Sequence, residues 1–222
     1  MSDPSWLKEL VPCLADHPKT SWSYCNLNPY ILVLYFSQSG GTANLAKEIC
    51  HGIDGVKGIE SRLRTVPVVS TTTEQTKPIV PDEGAIYCEK QDLLDCAGLA
   101  MGSATRFGNM SGSLKHFLDS TADLWMTNAL VGKPASLFTS SNSLHGGQES
   151  TLLSMMIPLL HHGMCIVGLP YSESALKSTK TGGTPYGVTH LGSLGVELSD
   201  EEEELARKSG KRLAEMALAL IR

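Results

Sequence analysis

Residues 30–36, Tyr-Ile-Leu-Val-Leu-Tyr-Phe, form an unbroken run of apolar, strand-favouring side chains. A strand with one wet face would place a polar residue at every second position. A run without them predicts a strand buried on both faces, as at the centre of a parallel sheet. Ser-Gln-Ser-Gly-Gly-Thr follows at 37–42, and Leu45, Ile49 and Ile53 then recur at helical spacing. The order is strand, loop, helix, and it repeats. Residues 59–66 alternate like an edge strand, 92–103 lead into a third strand, 133–140 into a fourth, and 165–171 supply a fifth. Helical patterns occupy 111–125 and 148–163. A last helix opens on a capping box, Ser199 with Glu202, and carries Leu205, Leu213, Met216 and Leu220 as its apolar stripe. Strands alternating with helices predict an α/β fold, a doubly wound parallel sheet with helices on both faces.

A chain of 222 residues suits one such domain with an appendage. Residues 29–222 are expected to form the domain and 1–28 an N-terminal extension, polar and without clear periodicity. Its one apolar patch, 6–14, would be an amphipathic turn against the body or a neighbouring subunit, or part of a disordered tail. Asp3, Lys8, Glu9, Asp16 and Lys19 interrupt any signal-peptide core, so a cytoplasmic location is expected. The formal charge of −5 argues against a nucleic-acid partner. No apolar run reaches the roughly 18 residues of a membrane span. The six cysteines show neither CxxC nor metal-ligand spacing, which predicts reduced thiols and no metal site.

In doubly wound sheets, ligands bind outside the carboxyl ends of the strands. Three loops of this chain fall on that edge, and each is rich in donors. In the first, Ser37, Ser39 and Thr42 offer hydroxyls, while Gly40 and Gly41 let backbone approach a phosphate at a helix N-terminus. It has no GxxxxGK[ST] lysine and no GxGxxG, which disfavours an ATP loop and a dinucleotide turn. The second, 102–110, sets Thr105, Arg106 and Phe107 between glycines. The third, 139–149, again combines hydroxyls, Asn, His and paired Gly. One such loop could be turn chemistry alone, but three on one edge point to a ligand.

The motifs YFSQSGG, TRFGNM, LVGKPASLFTS, HGGQE, LLHHGM and GGTPYG occur in order from about residue 30 to about 190. Together they resemble the WrbA-type NAD(P)H:quinone oxidoreductases of the flavodoxin-like superfamily. The resemblance implies a flavodoxin-like, five-stranded parallel sheet, a non-covalent FMN, and NADH or NADPH as electron donor. It further implies a quinone as acceptor, two-electron ping-pong transfer, and a cytoplasmic homotetramer or homodimer. Carried onto this chain, the phosphate loop falls on Ser37, Gln38, Ser39, Gly40, Gly41 and Thr42. The isoalloxazine contacts fall on Thr105, Arg106, Phe107 and Gly108. The second flavin loop falls on Ser140, Ser141, Asn142, Ser143, Leu144, His145 and Gly146, where this chain is one residue longer. Trp125 would face the substrate, and His161 would lie beside the flavin and hydrogen-bond or protonate the quinone oxygen.

Each assignment has a plainer alternative. Trp125 could be a core or interface aromatic, and Arg106 could be structural. His161 and His162 could be a metal pair or core histidines, but neighbours on a helix point about 100° apart, which disfavours one shared metal. The chain also departs from the family. Ser39 and Gly41 stand where many members have an aromatic and a histidine, and 188–204 replaces the usual Gly-Asp-Gly stretch. Two other functions fit a flavin-binding chain: a one-electron carrier of the flavodoxin type, and a flavin-binding regulatory protein.

Overall fold

The computed structural model describes residues 28–69 and 84–221. All but the last residue of the expected extension, Cys13 and Cys25, and most of the Pro/Thr-rich excursion expected at 66–84 lie outside that range. β1 (Tyr30–Phe36) is buried along its whole length. Ile31, Val33 and Tyr35 point to one face of the sheet, and Tyr30, Leu32, Leu34 and Phe36 to the other. The strand therefore belongs in the middle, and it pairs in parallel with β2 (Glu60–Thr65) on one side and β3 (Gly98–Ala104) on the other. β4 (Pro134–Ser141) continues the sheet beyond β3, again in parallel.

The fifth position differs from expectation. Residues 165–171 do not form one strand. β5 is only Cys165–Ile166, paired with Pro134 and Ala135. Val167 N–H still reaches Ala135 O at 2.7 Å, but the chain then turns away through Gly168 and Pro170. It returns as β6 (Val188–Leu191), in parallel with Phe138–Ser141 of β4. Two short strands thus share the fifth place, with an excursion between them that carries α6 (Ser174–Ser178).

α1 (Gly41–Asp54) and α7 (Asp200–Leu220) cover the Ile31 face. The Leu32 face is covered by α2 (Lys90–Asp95), α3 (Gly112–Asp119), α4 (Ala122–Met126) and α5 (Gln148–His161). The single helix expected over 111–125 is two. The Ser120 and Thr121 hydroxyls bond back to the Phe117 and Leu118 carbonyls at 2.7 Å each, drawing hydrogen bonding away from a continuous ladder. The capping box at Ser199 and Glu202 forms as expected.

α1 and α7 cross in near backbone contact. A Cβ at Gly52 would collide with the Arg207 carbonyl, and one at Gly210 with that of Ile49. Gly210→Ala sets two effects against each other. Alanine gains about 1 kcal/mol over glycine in a helix interior. A methyl against a fixed carbonyl costs about 1–3 kcal/mol, since neither helix can swing a side chain aside. The expected result is a net loss of up to about 2 kcal/mol, seen as a lower urea midpoint at unchanged slope. A midpoint at or above wild type would show that the crossing can open freely.

Candidate active site

β1, β3 and β4 are neighbours, and their carboxyl ends deliver the three donor-rich loops to one edge of the sheet. In the first loop Gly40 takes a positive φ of 98°, and its N–H donates to Ser37 Oγ at 3.2 Å. α1 then starts at Gly41 with no side-chain cap, and α5 starts after Gly147, also with none. By contrast Ser111 caps α3 and Ser199 with Glu202 caps α7, while the five-residue α4 and α6 start without a side-chain cap. Two bare helix starts on one edge leave N–H donors and positive dipole ends for an anion.

The loops are tied together. The Thr42 and Ser140 hydroxyls lie 2.6 Å apart, and Arg106 donates to Gln38 Oε1 at 2.6 Å. Thr105 N–H donates to Ser140 O at 2.9 Å. Arg106 and Asn109 exchange backbone bonds of 2.8 and 3.0 Å across Phe107 (φ 52°) and Gly108 (φ 75°). Both central residues have positive φ, as in a type I′ turn, where Phe is held against its backbone preference. Its ring is fully exposed at the tip. A strained, bare aromatic beside an anion site is a platform for a flat ligand that carries a phosphate. In the third loop Ser141 Oγ donates to Ser143 O at 2.6 Å and Gly146 N–H to the same carbonyl at 3.1 Å, while Asn142, Ser143, Leu144 and His145 stay exposed.

Residues 30–175 match the family described as NADPH-dependent FMN reductase. The chain belongs to that family. A relative named NAD(P)H dehydrogenase (quinone), from Syntrophobacter fumaroxidans, is 42% identical over 206 residues, covering 86% of this chain and 98% of its own length. One of the same name from Geotalea daltonii is 40% identical over 200 residues, with the same coverage. Among solved structures, the flavodoxin, WrbA-like protein of Agrobacterium tumefaciens superposes with a TM-score of 0.61 at 21% identity, covering 86% of this chain and 99% of that one. Oxidised flavodoxin 1 of Bacillus cereus does so with a TM-score of 0.56 at 17% identity, covering 84% and 97%. The flavodoxin-like fold and the family named from the sequence motifs are borne out.

The residues present fit the FMN of this family. The donor set of Ser37–Thr42 at the uncapped start of α1 suits the phosphate, and Thr105–Gly108, with the exposed Phe107, and Ser140–Gly146 lie on the same edge for the ring system. Arg106, already bound to Gln38, adds a cation at the same edge.

Trp125 and His161 are placed elsewhere. α5 runs from the loop edge, at Gln148, to the opposite edge, where His161 ends it just ahead of β5. Fourteen helical residues span about 21 Å. Within one chain the structure brings these two residues together with each other and not with the three loops. They line a groove of about 400 Å³ with Lys115, Asp119, Ile157 and His162.

Two residues of interest were not singled out as site residues from sequence. The first is His162. Thr121 Oγ donates to Leu118 O at 2.7 Å and so accepts from His162 Nε2, 3.1 Å away. That bond assigns the ring proton to Nε2 and leaves the buried Nδ1 without a partner among the described residues. The second is His190, buried against Glu202 directly behind Gly41. The stretch that holds it departs from the family pattern, and that departure was the available signal.

Burial, with His161 adding its charge, draws the His162 pKa below the ordinary 6.5. The unfolded chain therefore takes up the proton first. The stability this neutral ring contributes is intact above pH 6.5 and is lost as pH falls through the folded-state midpoint. A pH titration followed by histidine NMR is expected to give His162 a midpoint below 6.5. A midpoint at or above that value would mean the groove does not disfavour the cation.

Proposed function

We propose that this chain is an FMN-dependent NAD(P)H:quinone oxidoreductase working by two-electron ping-pong transfer. The observation that carries this is the single sheet edge on which two uncapped helix starts, three cross-linked donor loops and the bare Phe107 converge. FMN, when bound, would supply the hydride chemistry that couples oxidation of NADH or NADPH to two-electron reduction of a quinone. Ser37, Thr42 and the first N–H groups of α1 hold the phosphate. Thr105, Phe107 and the 140–146 loop hold and shield the ring system. Arg106 stands ready to offset the negative charge that reduction adds, and Gln38 fixes its guanidinium in advance.

Trp125 and His161 serve the site of a partner subunit. Their groove lies at the far edge of the sheet, and Trp125, Met126, Ile157 and Leu160 expose an apolar face around it. A homotetramer or homodimer that sets this face against a neighbour's loops would give the quinone an indole to pack on. It would also give its oxygen an imidazole proton donor. A cytoplasmic setting suits a chain whose described helices include none long and apolar enough to cross a membrane.

The test is an anaerobic flavin spectrum of the FMN-loaded protein, with NADH or NADPH added first and benzoquinone second. Bleaching by nucleotide and full recovery with quinone is the expected result. Bound flavin that neither nucleotide reduces would instead favour a one-electron carrier. Trp125→Ala is expected to slow the quinone step about tenfold, the scale of one lost aromatic contact, with bleaching by nucleotide little changed. An unaltered quinone step would reduce Trp125 to a packing residue.

A further inference from the structure

His190 sits on β6 with 1% of its surface exposed, and both ring nitrogens face acceptors. Nδ1 is 2.8 Å from Glu202 Oε2, and Nε2 is 3.1 Å from the Gly195 carbonyl. A carbonyl can only accept. Glu202 is held as the carboxylate: burial works against its charge, but the His190 bond and the N–H groups of Leu191 and Ser199 outweigh burial and draw its pKa below the usual range. A carboxylate also only accepts. Acceptors at both nitrogens point to a ring that donates from each, which is the charged form of histidine.

That charge faces the phosphate loop. A Cβ at Gly41, the first residue of α1, would run into the His190 ring, and the three nearest atoms to that point all belong to the imidazole. Glu202 meets the ring at Nδ1, whereas the atoms nearest Gly41 are Cδ2 and Nε2 on the other edge. Its Oε1 accepts from Gly182 and Leu191 N–H at 2.9 and 3.0 Å, and its Oε2 from Ser199 N–H at 3.1 Å. These donors stabilise the carboxylate where it is, so the pair acts as a dipole whose positive ring abuts the start of α1. Glycine at 41 is what allows the contact. The same segment is pinned to α1 by Asn44, whose Nδ2 donates to Val196 O at 2.8 Å.

We propose that His190 is a buried cation that positions and selects the phosphate of FMN, acting from behind Gly41 through the first turn of α1. The proposal rests on FMN occupying the Ser37–Thr42 loop. It predicts discrimination between two ligands with the same ring system, FMN and riboflavin, which differ by the phosphate. A shielded ring of this kind at the first turn of α1, offset in part by Glu202 behind it, is expected to alter the affinity of a phosphate there by roughly tenfold and to leave a neutral ligand little affected.

The experiment titrates the full chain with FMN and with riboflavin, followed by quenching of flavin fluorescence, for wild type and His190→Asn. Asparagine retains a donor toward Glu202 and carries no charge. The expected result is an FMN Kd raised roughly tenfold with the riboflavin Kd within about twofold, so that the ratio collapses selectively. Equal weakening of both ligands, or an unchanged ratio, would overturn the proposal, the first by showing a purely structural role. Because the variant could lose its fold, the unmutated chain supplies a second readout. Histidine ¹⁵N shifts at neutral pH are expected to show both nitrogens of His190 protonated, and a neutral tautomer would overturn the proposal without any mutation. Wild type that binds neither flavin would overturn the assignment of the flavin site itself, and this proposal with it.

Discussion

β1 must bury both of its faces, and most of the architecture follows from that demand. A strand with Ile31, Val33 and Tyr35 on one side and Leu32, Leu34 and Phe36 on the other has no surface to offer water. Helices have to cover both sides, and a chain that places a helix after each strand can return only in parallel. Parallel strands bring all their carboxyl ends to one edge. The connections there cannot be buried, because their backbone groups would lack partners, so they stay open and available to a ligand. Ser37–Thr42, Thr105–Gly108 and Ser140–Gly146 share an edge for this reason.

The helix that follows β1 is held unusually firmly. Gly41 meets His190, Gly52 meets the backbone at Arg207, and Gly210 meets the backbone at Ile49, so α1 is pressed along its length against β6 and α7. Each contact needs a missing side chain on one partner. The division of the fifth strand belongs to this arrangement. A continuous 165–171 strand would have filled the sheet without delivering His190 to the level of Gly41. By leaving the sheet after Val167 and re-entering at Val188, the chain places Gly182, His190 and Leu191 around one carboxylate, Glu202. The stretch from Gly182 to Glu202 thus buttresses the Ser37–Thr42 loop.

Period and punctuation made much of this legible in the sequence. The run at 30–36, the alternation at 59–66 and the capping box at 199–202 each correspond to a local rule, and each is found where that rule puts it. The breaks were less legible. Ser120 and Thr121 end a helix by bonding to carbonyls one turn back, an option that hydrophobic spacing does not register. The departure after Val167 depends on what β4 pairs with further along, which is a tertiary matter. The donor loops could be read because glycines and hydroxyls at strand ends have few other uses. His190 and Glu202 could not, because a capping-box glutamate looks the same whether it serves one backbone N–H or also a buried imidazolium. The opposed positions of Trp125 and the loops follow from the length and direction of α5, and no motif encodes them.

That opposition has a consequence for assembly. A face presenting Trp125, Met126, Ile157 and Leu160 to water costs free energy in a lone chain, and Phe107 exposes a further ring at the other edge. Both costs fall together if the groove face of one chain meets the loop edge of another. A two-fold axis would make the contact reciprocal, so each chain would supply one groove and receive one. Such a contact would also strip water from around His162, whose Nδ1 has no partner among the described residues, and from around His161, where proton transfer to a substrate would have to occur. In such an assembly cofactor binding would depend on one chain and turnover on two. Dilution should therefore remove turnover while leaving flavin bound, which separates the two halves of the site without altering a residue.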